Sequence, residues 1–165
     1  MRGSGWTGLA ALALMTGCAP IGDPPGDAVL PVKLLHGGGQ CGDLERPTLL
    51  WIARMDDWRS RYARVTSAQI NPPPPPAVDF PREGVLLIAM GQRPTGGYGL
   101  SLAEETAAVR DGVLTVRADW REPLPGYRLA QVITAPCLMV KLPSAGFSRI
   151  RVLDQAGQVR LEGVR

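Results

Sequence analysis

The chain has 165 residues, with 18 Lys and Arg against 15 Asp and Glu, one His, and a formal charge of +3. That balance is too mild for a nucleic-acid surface, and the arginines are scattered rather than striped, so no nucleic-acid partner is expected. The length suffices for one domain with a real core, and 20 glycines with 16 prolines point to a turn-rich, β-dominated fold.

Residues 1–17 read as a lipoprotein signal peptide: Arg2 supplies the positive start, Trp6 to Met15 the apolar stretch, and Thr16-Gly17 the small residues before Cys18. Cys18 is the expected lipidation site, with an ordinary secretory peptide cut near Ala19 as the other reading. The apolar stretch is well short of the ~20 residues that span a bilayer. The expected location is the cell envelope, lipid-anchored. Ala19 stands where aspartate tends to retain lipoproteins in an inner membrane, so a cell with two membranes would carry the protein on its outer membrane, facing the periplasm. Residues 18–28, with Pro20, Pro24 and Pro25, read as a flexible tether, and 29–165 as a single β-rich domain. Export leaves Cys41 and Cys137 as an even pair: either one disulfide or two small buried thiols that never meet.

Val29 to His36 reads as one strand, ended by Gly37-Gly38-Gly39, and Thr48 to Ala53 as a second. Asp56 or Asp57 is expected to cap a helix, about 56–65, whose Trp58, Tyr62 and Val65 share a face. The run Pro72–Pro76 is extended polyproline II, read as a stiff connector rather than a ligand for a partner domain. Phe80 is expected to pack into the core as the chain re-enters it. Strands follow at Val85–Met90, Tyr98–Thr106 and Val113–Asp119, the last two joined at Asp111-Gly112. Pro123 to Gly126 is a loop, and Val132-Ile133 and Leu138–Leu142 are strand-like. Arg149–Leu153 and Gln158–Leu161 form a hairpin across residues 154–157. The expected fold is mainly β, a compact two-layer β-sandwich-like domain with one short helix.

No catalytic constellation is visible. His36 sits beside three glycines with no local partner, and no nucleophile-elbow pattern occurs. Glu104 and Glu105, as strand neighbours, point to opposite faces and form no carboxylate pair. No ligand cluster has zinc or calcium spacing, so neither a metal nor another cofactor is expected. The turn Gly91-Gln92-Arg93-Pro94-Thr95-Gly96-Gly97-Tyr98 lacks the Gly-Lys-Ser/Thr ending of a phosphate loop and precedes a strand. An enzyme is therefore not expected.

That turn, after an apolar strand, resembles the signature of the PrcB C-terminal domain. The resemblance continues through Leu100–Leu102, Gly112–Val116, Pro123–Pro125 and Pro136 before Leu138–Pro143, covering about residues 84–143. It implies a non-catalytic exported subunit that associates with and stabilises a surface protease, with Arg93, Pro94, Thr95, Gly96, Gly97 and Tyr98 as the partner-binding turn. Cys137 departs from the family's pattern, which commonly has an aromatic there. Pro94 to Tyr98 is also similar to a loop of chagasin-like cysteine-protease inhibitors, with Arg93 in place of its asparagine and Gly96 in place of its second threonine. That similarity implies an inhibitor that inserts the same loop into a protease cleft. A purely structural envelope component is the third reading. Tyr98 is either an interface anchor or a core residue beginning the strand, and sequence leaves both open.

Overall fold

A computed structural model describes residues 27–42, 44–126 and 128–165. The expected signal peptide, Cys18, and all but the last two residues of the expected tether lie outside these. In chain order the elements are β1 (Ala28–Pro31), β2 (Lys33–Gly38), β3 (Thr48–Ile52), α1 (Met55–Val65), β4 (Glu83–Ala89), β5 (Gly99–Leu102), β6 (Thr106–Arg110), β7 (Val113–Arg121), β8 (Cys137–Pro143), β9 (Arg149–Leu153) and β10 (Val159–Val164).

Val85 to Met90 is apolar at six successive positions, and every one is buried. A strand exposes alternate residues on opposite faces, so such a run must be covered on both sides. β4 is: it lies inside a sheet of order β2-β8-β4-β3, paired antiparallel with β8 from Glu83↔Pro143 to Ala89↔Cys137. Leu86, Ile88 and Met90 face a second sheet, together with Leu138, Val140 and Leu142 of β8. Val85, Leu87 and Ala89, with Met139, face α1, whose Trp58, Tyr62 and Val65 are buried against them. Phe80 packs half-buried on the same side, and the Trp58 indole N–H donates to the Pro76 carbonyl at 3.0 Å, tying the exposed proline run to the helix.

The second sheet runs β1-β6-β7-β9-β10, with β5 lying beside the far half of β7. Its neighbours are antiparallel except β7 and β9, which pair parallel because the chain visits β8 in the other sheet between them. Beyond the reach of β9, the Gln155 side chain takes over. Its amide accepts from the Trp120 N–H at 2.9 Å and donates to the Trp120 carbonyl at 3.2 Å. The mainly β sandwich with one helix is as expected, the helix adding an outer cover to one sheet.

Three expectations need correction. Val29–His36 is two strands in different sheets. Val32 is buried at the crossing, and its N–H donates to Glu105 O at 2.8 Å, so the backbone leaves the first sheet there. Tyr98–Thr106 also divides, because Ala103 to Glu105 step out between β5 and β6 along one edge of β7. The helix starts at Met55 with Arg54 in the cap position, and Asp56 and Asp57 occupy the first turn. Carboxylates there offset the helix's positive end without capping it, and Asp57 takes an ion pair from Arg54 at 2.8 Å.

Cys41 and Cys137 form a disulfide, Sγ–Sγ 2.08 Å, across 96 residues of chain. Closing a loop of that length is worth about 4–5 kcal/mol in the chain-entropy account. It fastens the loop after β2 to the start of β8.

The β9–β10 turn is organised by Asp154, which is 2 % exposed. Its carboxylate accepts from the Gln158 N–H at 2.8 Å, from the Ala156 N–H at 2.9 Å and from Arg160 Nε at 2.7 Å. The Gln158 N–H above all, helped by Arg160 and the Ala156 N–H, holds this carboxyl below its usual range. A depressed folded-state pKa contributes stability that is complete above the ordinary carboxylate range and is lost as pH falls through the folded value. Denaturant midpoints followed from neutral to strongly acidic pH should therefore show a shallower acid-side decline in Asp154→Asn than in the parent. Superimposable acid limbs would show that this carboxylate does not set them.

Candidate functional site

The loops leaving β4 and entering β8 meet at one end of the sandwich. The chain leaves β4 through Met90, whose N–H donates to Pro136 O at 2.9 Å. Gly91 follows at φ +77°, and a Cβ there would lie 2.7 Å from the Arg46 carbonyl carbon and the Pro47 nitrogen. Only glycine allows this backbone to pass so close to residues 45–47 in that conformation. The Gln92 N–H then donates to Glu45 O at 3.0 Å.

Arg93 and Thr134 exchange both backbone hydrogen bonds, at 2.7 and 2.9 Å. The Arg93 guanidinium folds back, with Nη2 donating to Met90 O at 2.9 Å, and stands 5.4 Å from the centre of the Tyr98 ring. Such a cation–ring contact is worth about 0.5–1 kcal/mol at an exposed site. The Thr95 carbonyl accepts from the Thr134 hydroxyl at 3.2 Å, and the Gly96 N–H donates to Ala130 O at 2.9 Å. Gly97, at φ +90°, turns the chain beside Pro123 and Leu129. Tyr98 is half-buried against the sandwich core, and β5 begins at the next residue.

The six expected turn residues are thus in one place, but they do not project. The turn lies on the 128–136 segment, bonded to it at Arg93, Thr95 and Gly96. That segment is held from its other side too: the Ala135 N–H donates to Gly39 O at 2.8 Å, the Cys41 N–H to Ala135 O at 3.0 Å, and Gln40 Nε2 to Ile133 O at 2.8 Å. It works as a strap across the end of the sandwich. Val132 and Ile133, read from sequence as a strand, lie outside the strands, just before single-residue bridges at Thr134 and Ala135. Their side chains point outward, 47 % and 61 % exposed, and Leu124, in the loop after β7, is 68 % exposed. These three apolar residues are what sequence reasoning missed as surface. The available signal was the short Val132-Ile133 pair before Pro136, too brief to pair as a strand.

His36 is half-buried at the edge of the helix-side core, edge-on to Tyr62 with ring centres 6.0 Å apart. Burial pushes its pKa down. Its Nε2 is 4.0 Å from Cys41 Sγ, so His36, Cys41 and Cys137 bring three ligand-type atoms within 4.8 Å of one another. Both sulfurs are spent in the disulfide, which has no thiolate to offer a metal.

Residues 85–143 match the family model described as PrcB C-terminal. The likeness to that family is confined to this stretch. The match opens on β4 and closes on the last residue of β8, two strands that pair with each other, and it contains both the turn and the strap. No curated protein and no solved structure matches the chain.

Gly91→Ala should lower the stability of the fold by at least about 2 kcal/mol, the positive-φ cost and the backbone clash acting together. Gly157→Ala is the control, since it has the same sign of φ, at +76°, with nothing within 4 Å of the added Cβ. Equal shifts of the denaturant midpoint in the two variants would remove the role assigned to the Arg46–Pro47 contact.

Proposed function

We propose that this protein is a non-catalytic, exported lipoprotein that binds and supports another protein of the cell envelope, a protease complex being the class that the PrcB C-terminal match favours. The observation that carries the reading is the strap. A turn rich in glycine and main-chain hydrogen bonds fixes a surface on which Val132 and Ile133 stay exposed. Apolar side chains held on a pre-ordered backbone bind with little further loss of conformational freedom. The bonded seat of Pro94 to Gly97 favours support through this whole end over insertion of that loop into a cleft.

The test is co-purification from native membranes, with the parent chain and with Val132→Asp/Ile133→Asp. Both side chains are exposed, so the double variant should keep the parent's thermal midpoint, surface changes usually costing under about 0.5 kcal/mol. A stoichiometric partner captured by the parent and lost from the double variant is the expected result. Capture of that partner undiminished by the change would sink the reading of this surface, and absence of any partner would leave a structural envelope component.

Anchoring is proposed at Cys18. Cys18→Ser should move the protein from the membrane fraction to the soluble one. Membrane association unchanged by the substitution would show that no lipid on Cys18 holds it there.

A further inference from the structure

The two long flanks of the sandwich are closed to different degrees. On one, Trp51 of β3 lies against Gly84 and meets Phe147 edge-on at 5.2 Å, and Arg165 covers both rings at 5.5 and 5.3 Å. On the other, β2 and β5 are edge strands of their respective sheets, and a cleft of about 630 Å³ opens beside them. Its apolar wall is Leu34, Leu100 and Leu138, with Leu34 48 % exposed.

The opening has a topological cause. β7 is covered along one edge by β6 and β5 laid end to end. β1 pairs with β6 only, because the chain crosses to the other sheet at Val32 before it reaches β5. The position beside β5, in line with β1, is left without a strand among the described residues.

The hydrogen-bonding phase of β5 follows from its neighbour. Trp120 turns both its N–H and its carbonyl toward Gln155, away from β5. Leu100, its partner across the ladder, is therefore in a non-hydrogen-bonded pair, and so is Leu102 opposite Ala118. The N–H and carbonyl of Leu100 and Leu102 point to the free edge, whereas those of Gly99 and Ser101 point to β7. An edge with this arrangement is a template for an added strand.

Charge defines what that strand should carry. Arg121 and Asp119, two residues apart on the outer face of β7, stand opposite Gly99 and Ser101. Neither is in an ion pair among the described residues. The Arg121 guanidinium reaches across Gly99, its Nη2 2.7 Å from where a Cβ would be, so its charge lies over the β5 edge. Asp119 accepts from the Ser101 hydroxyl at 3.3 Å. An incoming residue opposite Gly99 would meet a cation, and one opposite Ser101 an anion. The residue between them, opposite Leu100, would point inward to the apolar wall.

Resting on the partner-binding reading above, we propose that the free edge of β5 takes an extended segment of the partner protein as an extra strand, through an acidic–apolar–basic triplet. The acidic side chain pairs with Arg121, the apolar one fills the cleft at Leu34, Leu100 and Leu138, and the basic one pairs with Asp119.

The probes are two capped seven-residue peptides, Thr-Thr-Glu-Leu-Lys-Thr-Thr and Thr-Thr-Lys-Leu-Glu-Thr-Thr, one for each strand direction. They are titrated to millimolar concentration into the isotope-labelled full chain with its disulfide formed. At least one peptide should slow amide exchange at Leu100 and Leu102 several-fold and leave Gly99 and Ser101 unchanged. Arg121→Glu, an exposed and fold-neutral change, should weaken that peptide about fivefold or more, and Arg121→Glu/Asp119→Lys should shift preference to the peptide with its two charges exchanged. No protection at Leu100 and Leu102 with either peptide overturns the proposal. So does protection already present in the free chain, or a concentration-dependent dimer abolished by Arg121→Glu, which would assign the edge to the chain itself or to a second copy. If the native partner is lost with Val132→Asp/Ile133→Asp but retained with Arg121→Glu, the strap reading stands and the strand-addition proposal fails alone.

Discussion

The pairing of β4 with β8 is the constraint on which the rest of the structure depends. Both strands are apolar at successive positions, so neither is stable with a wet face. Their pairing makes a ribbon that must be covered twice. The second sheet covers one side and α1 the other. Each fully buried Leu, Ile or Val side chain there is worth roughly 1.5–3 kcal/mol over leaving it exposed. The disulfide at Cys137 then fixes the end of this ribbon to the loop after β2.

The same pairing brings the two ends of the PrcB C-terminal match side by side. A chain that leaves β4 must cross to the second sheet, build β5 to β7, and return to β8. The outgoing turn and the returning strap cross the same end of the sandwich, where they bond to each other. The glycines of the turn answer to that crowding: Gly91 to the backbone of Arg46 and Pro47, and Gly97 to Pro123 and Leu129. The turn thus forms a corner bonded to the strap, and the exposed apolar residues Val132 and Ile133 beside it belong to the strap. Tyr98, open to either reading from sequence, packs half-buried against the core under the Arg93 guanidinium.

Much of the architecture is legible residue by residue. The unbroken apolar run at β4 announces burial on both faces, Trp58, Tyr62 and Val65 announce the buried helix face, and Asp111-Gly112 and Asp154–Gly157 mark their turns. Breaks within a strand are not legible in that way. Val29 to His36 alternates well enough for one strand, yet it divides at Val32, because only the positions of two sheets make a crossing there favourable. Leu100 to Glu104 likewise keeps its alternation past the point where β7 stops offering β5 a ladder.

The candidate surface shows the same limit more sharply. Val132 and Ile133 are apolar and β-branched, and local preference alone assigns them to a strand. Their exposure follows from bonds that Ile133, Thr134 and Ala135 make to Gln40, Arg93 and Gly39, residues roughly 40 to 95 positions away in the chain. Local pattern by itself determined a mainly β domain with one helix, its turns, and the stretch that carries the family match, because periodicity and turn chemistry act over a few residues. Tertiary structure alone decided which strands share a sheet, which edge stays open and which apolar residues face water, because those depend on hydrogen bonds and burial between segments that local sequence does not connect.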